Sequence, residues 1–274
     1  MNKNSRFVRF LYGTAIGRFL LSLIQKWGVD RLIVKFLWSP CSKPIIKRYV
    51  KQHHIPPQEL EGQSFRSYRD FFIRKRNLTE IDLTPSHLIS PCDSYLSVFP
   101  IREDSSFFIK GSHYRLCDIL QDSVLSKAYH GGDCLIFRLC ASDYHHYCYI
   151  DNGFHGENHY IPGKLHSVQP IACEKYPVYT LNRRVWTLLQ TEHFGPVVQT
   201  EIGALIVGGI VNERENASFL KGEEMGHFEL CGSTIVLLFE KDRICLSPDI
   251  AKHLSNGREF RVKQGMWIGN QKEI

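Results

Sequence analysis

The N-terminal quarter of the chain spaces its apolar residues as a helix does. In SRFVRFLYGTAIGRFLLSLIQKW they fall at positions 8, 12, 16, 19, 20, 23 and 24, close to a 3.6-residue period, with Arg6, Arg9 and Arg18 interspersed. The pattern predicts one helix through this stretch. A second, DRLIVKFLW, follows Gly28 and stops before Pro40; a third, KPIIKRYVKQ, runs up to the HHIPP breaker at 53–57. FRSYRDFFIRKR (65–76) reads as one more. Beyond Pro85 the pattern changes. LSVFPI, FFIK, DCLIFRLC, VWTLLQTEH, VVQTEIGALIVGGIV and TIVLLFE read as strands between Gly, Pro, Asn and Asp turns, and CDILQD (117–122) as a short helix. No internal repeat or low-complexity linker divides the chain.

Charge sharpens this picture. The formal net charge is only +6, but residues 1–51 hold eleven Lys or Arg against one acid, Asp30. The body is slightly acidic without them. Basic residues among bulky apolar ones suit a helix lying on an anionic lipid surface, and equally suit core-packed helices with solvated cations. Arg9 and Arg18 bracket an apolar stretch of only eight residues, FLYGTAIG, with no convincing small-residue cleavage site, so a secretion signal is not expected, and no uncharged apolar run approaches the length of a membrane span. Nine cysteines, an odd number without a C-x-x-C pair, point to reduced thiols rather than disulfides or a zinc finger.

Three places could carry chemistry. SPCDS (90–94) sets Asp93 in a tight turn before a strand. DYHHYCYIDNG (143–153) places His145, His146 and Cys148 after an apolar strand. In ELCGSTIVLLFE (229–240), Ser233 precedes a buried strand. Asp, His and Ser in that order could form a triad, which is recognised by geometry rather than chain order. Each also has a plain structural reading: a turn cap, a bonded core histidine, a strand-entry serine. His145, His146, Cys148, His155 and His159 crowd together, but 145 and 146 face opposite sides of a strand and the spacings match no standard metal site. No metal is expected there. The G-x-S-x-G elbow of a serine hydrolase is absent.

Taken in order, these blocks resemble a known family. YGTAIGR (12–18), FRSYRDFFIRK (65–75), SPCDS, IKGSHYRLCDIL (109–120), RLCASDYHHYCYIDNG, IPGKLHSVQPIA (161–172), EIGALIVGGI and KGEEMGHFELCGST are similar to the successive motifs of the pyruvoyl-dependent phosphatidylserine decarboxylase proenzymes, from about residue 10 to about 240. The resemblance implies an α+β fold: a predominantly antiparallel β core with N-terminal membrane-facing helices. It implies one domain over 1–274, a helical membrane-associating layer at 1–80 and a β-rich catalytic core at 85–274. It also implies self-cleavage between Gly232 and Ser233, giving a β chain of 1–232 and an α chain of 233–274.

Ser233 would become the covalent pyruvoyl cofactor, which forms an imine with phosphatidylserine and releases CO2 and phosphatidylethanolamine. Asp93 and His145 would serve cleavage and proton transfer. The implied partners are phosphatidylserine, the anionic cytoplasmic face of the cell membrane, the two chains of one precursor and a homodimer, without nucleic acid. One departure stands out. The family's D-Y-H-x-x-H has Cys148 at its second histidine, so Cys148, His145 or His146 would act as the cleavage base, or the chain would stay an uncleaved lipid-binding relative. A pyruvoyl decarboxylase of another amino-acid substrate is the remaining alternative.

Overall fold

The computed structural model describes residues 6–27, 29–76, 80–102, 104, 106–109, 112–204, 209–230 and 233–272. The helical N-terminus forms α1 (Arg6–Gly13), α2 (Ala15–Trp27), α3 (Val29–Trp38), α4 (Lys43–His53) and the short α5 (Tyr68–Phe72). The single first helix expected from the periodicity is broken at Thr14. The Thr14 hydroxyl donates to the Phe10 carbonyl at 2.9 Å and accepts from the Gly17 amide at 2.9 Å. Behind this turn α2 crosses α1 closely: a Cβ on Gly17 would lie 2.1 Å from the Phe10 oxygen. The helix expected over 65–76 shortens to α5. Ser67 caps its start by accepting from the Asp70 amide, and Arg74, Lys75 and Arg76 leave the helix to reach acids elsewhere.

The strands begin with β1 (His87–Ile89), β2 (Ser94–Pro100), β3 (Ser106–Ile109), β4 (Ser112–Arg115), β5 (Asp133–Arg138), β6 (His146–Cys148), β7 (Gly153–Ile161) and β8 (Arg184–Thr191). They continue with β9 (Gly195–Ile202), β10 (Ile210–Asn212), β11 (Ala217–Phe219), β12 (Glu224–Phe228), β13 (Thr234–Phe239), β14 (Ile244–Leu246), β15 (Phe260–Val262) and β16 (Trp267–Gln271). Eight make one antiparallel sheet in the order β11-β7-β8-β9-β13-β5-β2-β15. A smaller sheet, β10-β12-β6, packs beside it.

The central strand β13 has core on both faces. Val236 and Leu238 enter one cluster, Ile235, Leu237 and Phe239 the other. An unbroken apolar run is what such a strand needs. The first cluster also takes Val8, Leu11 and Tyr12 of α1 and Leu21 of α2, so these helices dock into the β core along one side. Tyr12 is fully buried, and its hydroxyl accepts from the Ser167 amide at 2.8 Å.

Two strand expectations change. GFHGENHYI, too polar to stand out, forms the nine-residue β7, whose alternation is broken by a register shift between His155 and Asn158. VVQTEIGALIVGGIV is not one strand: β9 ends at Ile202, β10 starts at Ile210, and residues 205–208 lie outside the described residues. Among the described residues no helix is long and apolar enough to cross a membrane.

Candidate active site

Ser233 is buried at the entry to β13, and its carbonyl accepts from the Leu139 amide at 2.9 Å. Gly232, its partner in the expected cleavage site, lies outside the described residues. Five residues before Ser233, the Phe228 amide donates to the His145 carbonyl at 3.0 Å. The segments 139–145 and 228–233 are therefore tied together at both ends. Leu139 lies at the Ser233 end of this pairing and His145 at the Phe228 end.

The 139–145 loop is held from within. Asp143 accepts from the Cys140 amide at 2.7 Å and from both terminal nitrogens of Arg261 at 3.0 and 2.7 Å. Its backbone carbonyl accepts from His145 Nδ1 at 2.8 Å. A carbonyl can only accept, so the proton sits on Nδ1 and the Nε2 lone pair is open. Nε2 is buried without a hydrogen-bond partner among the described residues. The ring packs against Phe72 with centroids 4.2 Å apart. Burial in this setting pushes the pKa down to about 3, so the imidazole is neutral and its Nε2 binds a proton less readily than that of an exposed histidine.

Asp93 lies in the expected turn, but its partners differ from those of a triad. It accepts from the Gln264 amide at 2.9 Å and pairs with both terminal nitrogens of Arg76 at 2.9 and 3.2 Å. Among the described residues it makes no hydrogen bond to His145, which the Asp143 carbonyl orients instead. Cys148 sits against the same turn, its amide donating to the Pro91 carbonyl at 2.9 Å. Its side chain is fully enclosed, with Sγ 4.0 Å from the Ser90 carbonyl. Burial, only partly countered by Gln264, pushes the thiol up to about 12. The environment thus works against the thiolate that a Cys148 base would need.

Several residues of this region were not singled out from the sequence. Asp143 and Arg261 hold the His145 loop, and Arg76 holds Asp93. Only Asp143 had a signal, its place in the D-Y-H block. Glu201 was hidden inside a strand pattern. It is fully buried on β9 across from Ile235 of β13, accepting from Gln199 Nε2 at 2.8 Å and Asn212 Nδ2 at 3.3 Å. Burial raises its pKa to about 7.

Comparison with known proteins gives this arrangement its context. The family model described as phosphatidylserine decarboxylase matches residues 68–270. A relative from Clostridium acetobutylicum, phosphatidylserine decarboxylase proenzyme 2, is 40% identical over 265 residues, covering 96% of this chain and 91% of the relative. The phosphatidylserine decarboxylase proenzyme of Clostridium novyi is 35% identical over 273 residues, 97% of this chain and 92% of its own. The matched span takes in the Asp93 turn, the His145 loop and the Ser233 strand together, and with near full-length likeness to both proenzymes it places the chain in the phosphatidylserine decarboxylase family.

Proposed function

We propose that the chain is a proenzyme that cuts itself between Gly232 and Ser233 and then decarboxylates phosphatidylserine to phosphatidylethanolamine. The observation that carries this reading is the double tie of the 139–145 loop to the 228–233 segment, one carrying a neutral histidine whose Nε2 has no partner among the described residues and the other ending at the buried Ser233. His145 is the base in this account and Cys148 is not. The Ser233 hydroxyl attacks the Gly232 carbonyl carbon while Nε2 takes its proton, and the Gly232–Ser233 bond shifts from amide to ester. Removal of the Ser233 α-proton expels the Gly232 carboxylate, and hydrolysis of the resulting dehydroalanine releases ammonia. The products are chains 1–232 and 233–274.

The serine that this chemistry converts to a pyruvoyl group is present, buried and fixed through its own carbonyl, so the residues fit the group. Once formed, the group supplies an electrophilic carbonyl that takes up the electron pair left by departing CO2. The chain's own residues do the rest. The Phe72 ring shields His145 from water, the Asp143 carbonyl keeps its Nδ1 protonated, and Nε2 carries the proton to and from the reacting centre.

The N-terminal helices fit a lipid substrate at the cytoplasmic face of a membrane. One side of α1 and α2 is docked in the core, while Phe10, Ile16, Phe19, Leu20, Leu32 and Phe36 remain exposed beside Arg9, Arg18 and Lys35. Carbon dioxide release from phosphatidylserine vesicles tests the reading, with Ser233→Ala as control. The wild type releases CO2 and the variant does not. Equal release from both, or release only from free amino acids, overturns it.

A further inference from the structure

One cluster of metal-ligating side chains stands outside the machinery described so far. His146 lies on β6, Glu224 and His227 on β12, and one ligand atom from each falls within 4.8 Å of the others. His146 and His227 are direct cross-strand partners with rings stacked at 4.9 Å. In a regular strand, positions 224 and 227 would face opposite sides. A register shift between Glu224 and Gly226 adds one residue and returns Glu224 to the His146 side, where its Oε1 lies 2.7 Å from Nδ1. Bulges commonly re-aim a side chain in this way. Glycine is required at the bulge, because a Cβ on Gly226 would meet the Val211 carbonyl at 2.1 Å.

The nitrogen bookkeeping also favours a ligand. His146 Nε2 donates to the Ile73 carbonyl at 3.0 Å, which leaves Nδ1 to coordinate; a carbonyl behind a ligating imidazole is the usual orienting partner. Both ring nitrogens of His227 are buried with no hydrogen-bond partner among the described residues. Glu224 Oε2 pairs with Lys75 Nζ at 3.2 Å, but that lysine side chain is largely in solvent and free to swing aside. The sequence spacing argued against a metal within 145–159. This cluster takes only His146 from that stretch and its other two ligands from β12.

We propose that His146 Nδ1, a Glu224 carboxylate oxygen and one His227 ring nitrogen form a site for a divalent late transition metal, zinc by its donor set, with a fourth position open to water. Two imidazoles and one carboxylate are a known zinc set, whereas calcium and magnesium favour oxygen ligands. The ion replaces the proton shared between Nδ1 and Oε1. It pins β6, β12 and the Ile73 carbonyl together one residue from His145, so it stiffens the segment that presents that histidine.

The test uses the purified protein stripped with a chelator, dialysed, and titrated with zinc or with cobalt(II) as a visible reporter. One equivalent binds, cobalt(II) shows four-coordinate absorption without a thiolate charge-transfer band, and zinc raises the melting temperature. Glu224→Gln and His227→Ala each weaken binding on the order of 100-fold or more and abolish the melting shift. The near-isosteric Glu224→Gln decides if His227→Ala fails to fold. No saturable binding, a thiolate band from the cysteines, or unchanged affinity in Glu224→Gln overturns the proposal.

Discussion

Replacing Glu201 by Gln should change how stability depends on pH, by an amount the structure sets. Glu201 is wholly enclosed, and its pKa rises from 4.5 to about 7 because burial disfavours the charged form, with only partial relief from Gln199 and Asn212. The folded chain therefore binds this proton more tightly than the unfolded chain does. Stability from this group is complete below about pH 4.5 and is lost as pH rises to about 7. A shift of this size corresponds to about 3 kcal/mol, of which about 2.5 kcal/mol falls between pH 5 and pH 8.

Glutamine keeps the shape without the charge. Its new amide donor has an acceptor at hand, since Gln199 Oε1 is buried without a partner among the described residues and can turn toward it. Urea unfolding of both proteins at pH 5 and pH 8 is the assay. The difference between their midpoints should move by about 1 M in favour of Glu201→Gln on going to pH 8, for a slope near 3 kcal/mol/M. Midpoints that run parallel across this range would show that Glu201 is not desolvated as described.

Four shorter predictions follow from the same geometry. Cys148→Ala matures within about twofold of the wild-type rate by fragment mass and costs about 1 kcal/mol for the lost thiol; a slowing of tenfold or more would return the base role to Cys148. Arg76→Met leaves Asp93 buried with the Gln264 amide as its one remaining hydrogen-bond donor among the described residues, and denaturant unfolding should record a loss of about 3 kcal/mol. Gly17→Ala drives a methyl into the Phe10 carbonyl and should cost on the order of 2 kcal/mol, read as a lowered melting temperature. Phe19→Asp, on an exposed part of α2, should weaken binding to anionic vesicles roughly tenfold or more without moving the melting temperature.

The central strands were legible because both of their faces are covered. Residues 235–239 of TIVLLF and 134–137 of DCLIFR enter the core on alternate faces, and such an unbroken apolar run is hard to mistake. The longest strand was not legible. GFHGENHYI carries His155 and Asn158, whose side chains bond to each other at 3.2 Å, and a register shift between them erases the alternation. Thr14 was equally hidden: nothing in the periodicity around it announces that α2 turns back over α1.

Motifs singled out Ser233, His145 and Asp93, but pairing across the fold decided what they bond to. Arg76 reads as one cation in a surface run until it reaches Asp93, and Asp143 acts on His145 through a backbone carbonyl that no side-chain pattern reveals. The 224–227 spacing misleads outright, because the bulge at Gly226 reverses the parity that a regular strand would impose.

The mass of the purified protein tests the account most directly. Self-cleavage predicts two chains, residues 1–232 and a 42-residue fragment 233–274 that resists N-terminal sequencing because it begins with a carbonyl instead of an amine. In His145→Ala those fragments should appear about 100-fold more slowly or not at all. A single full-length mass from the wild type, or unchanged cleavage in His145→Ala, would contradict it.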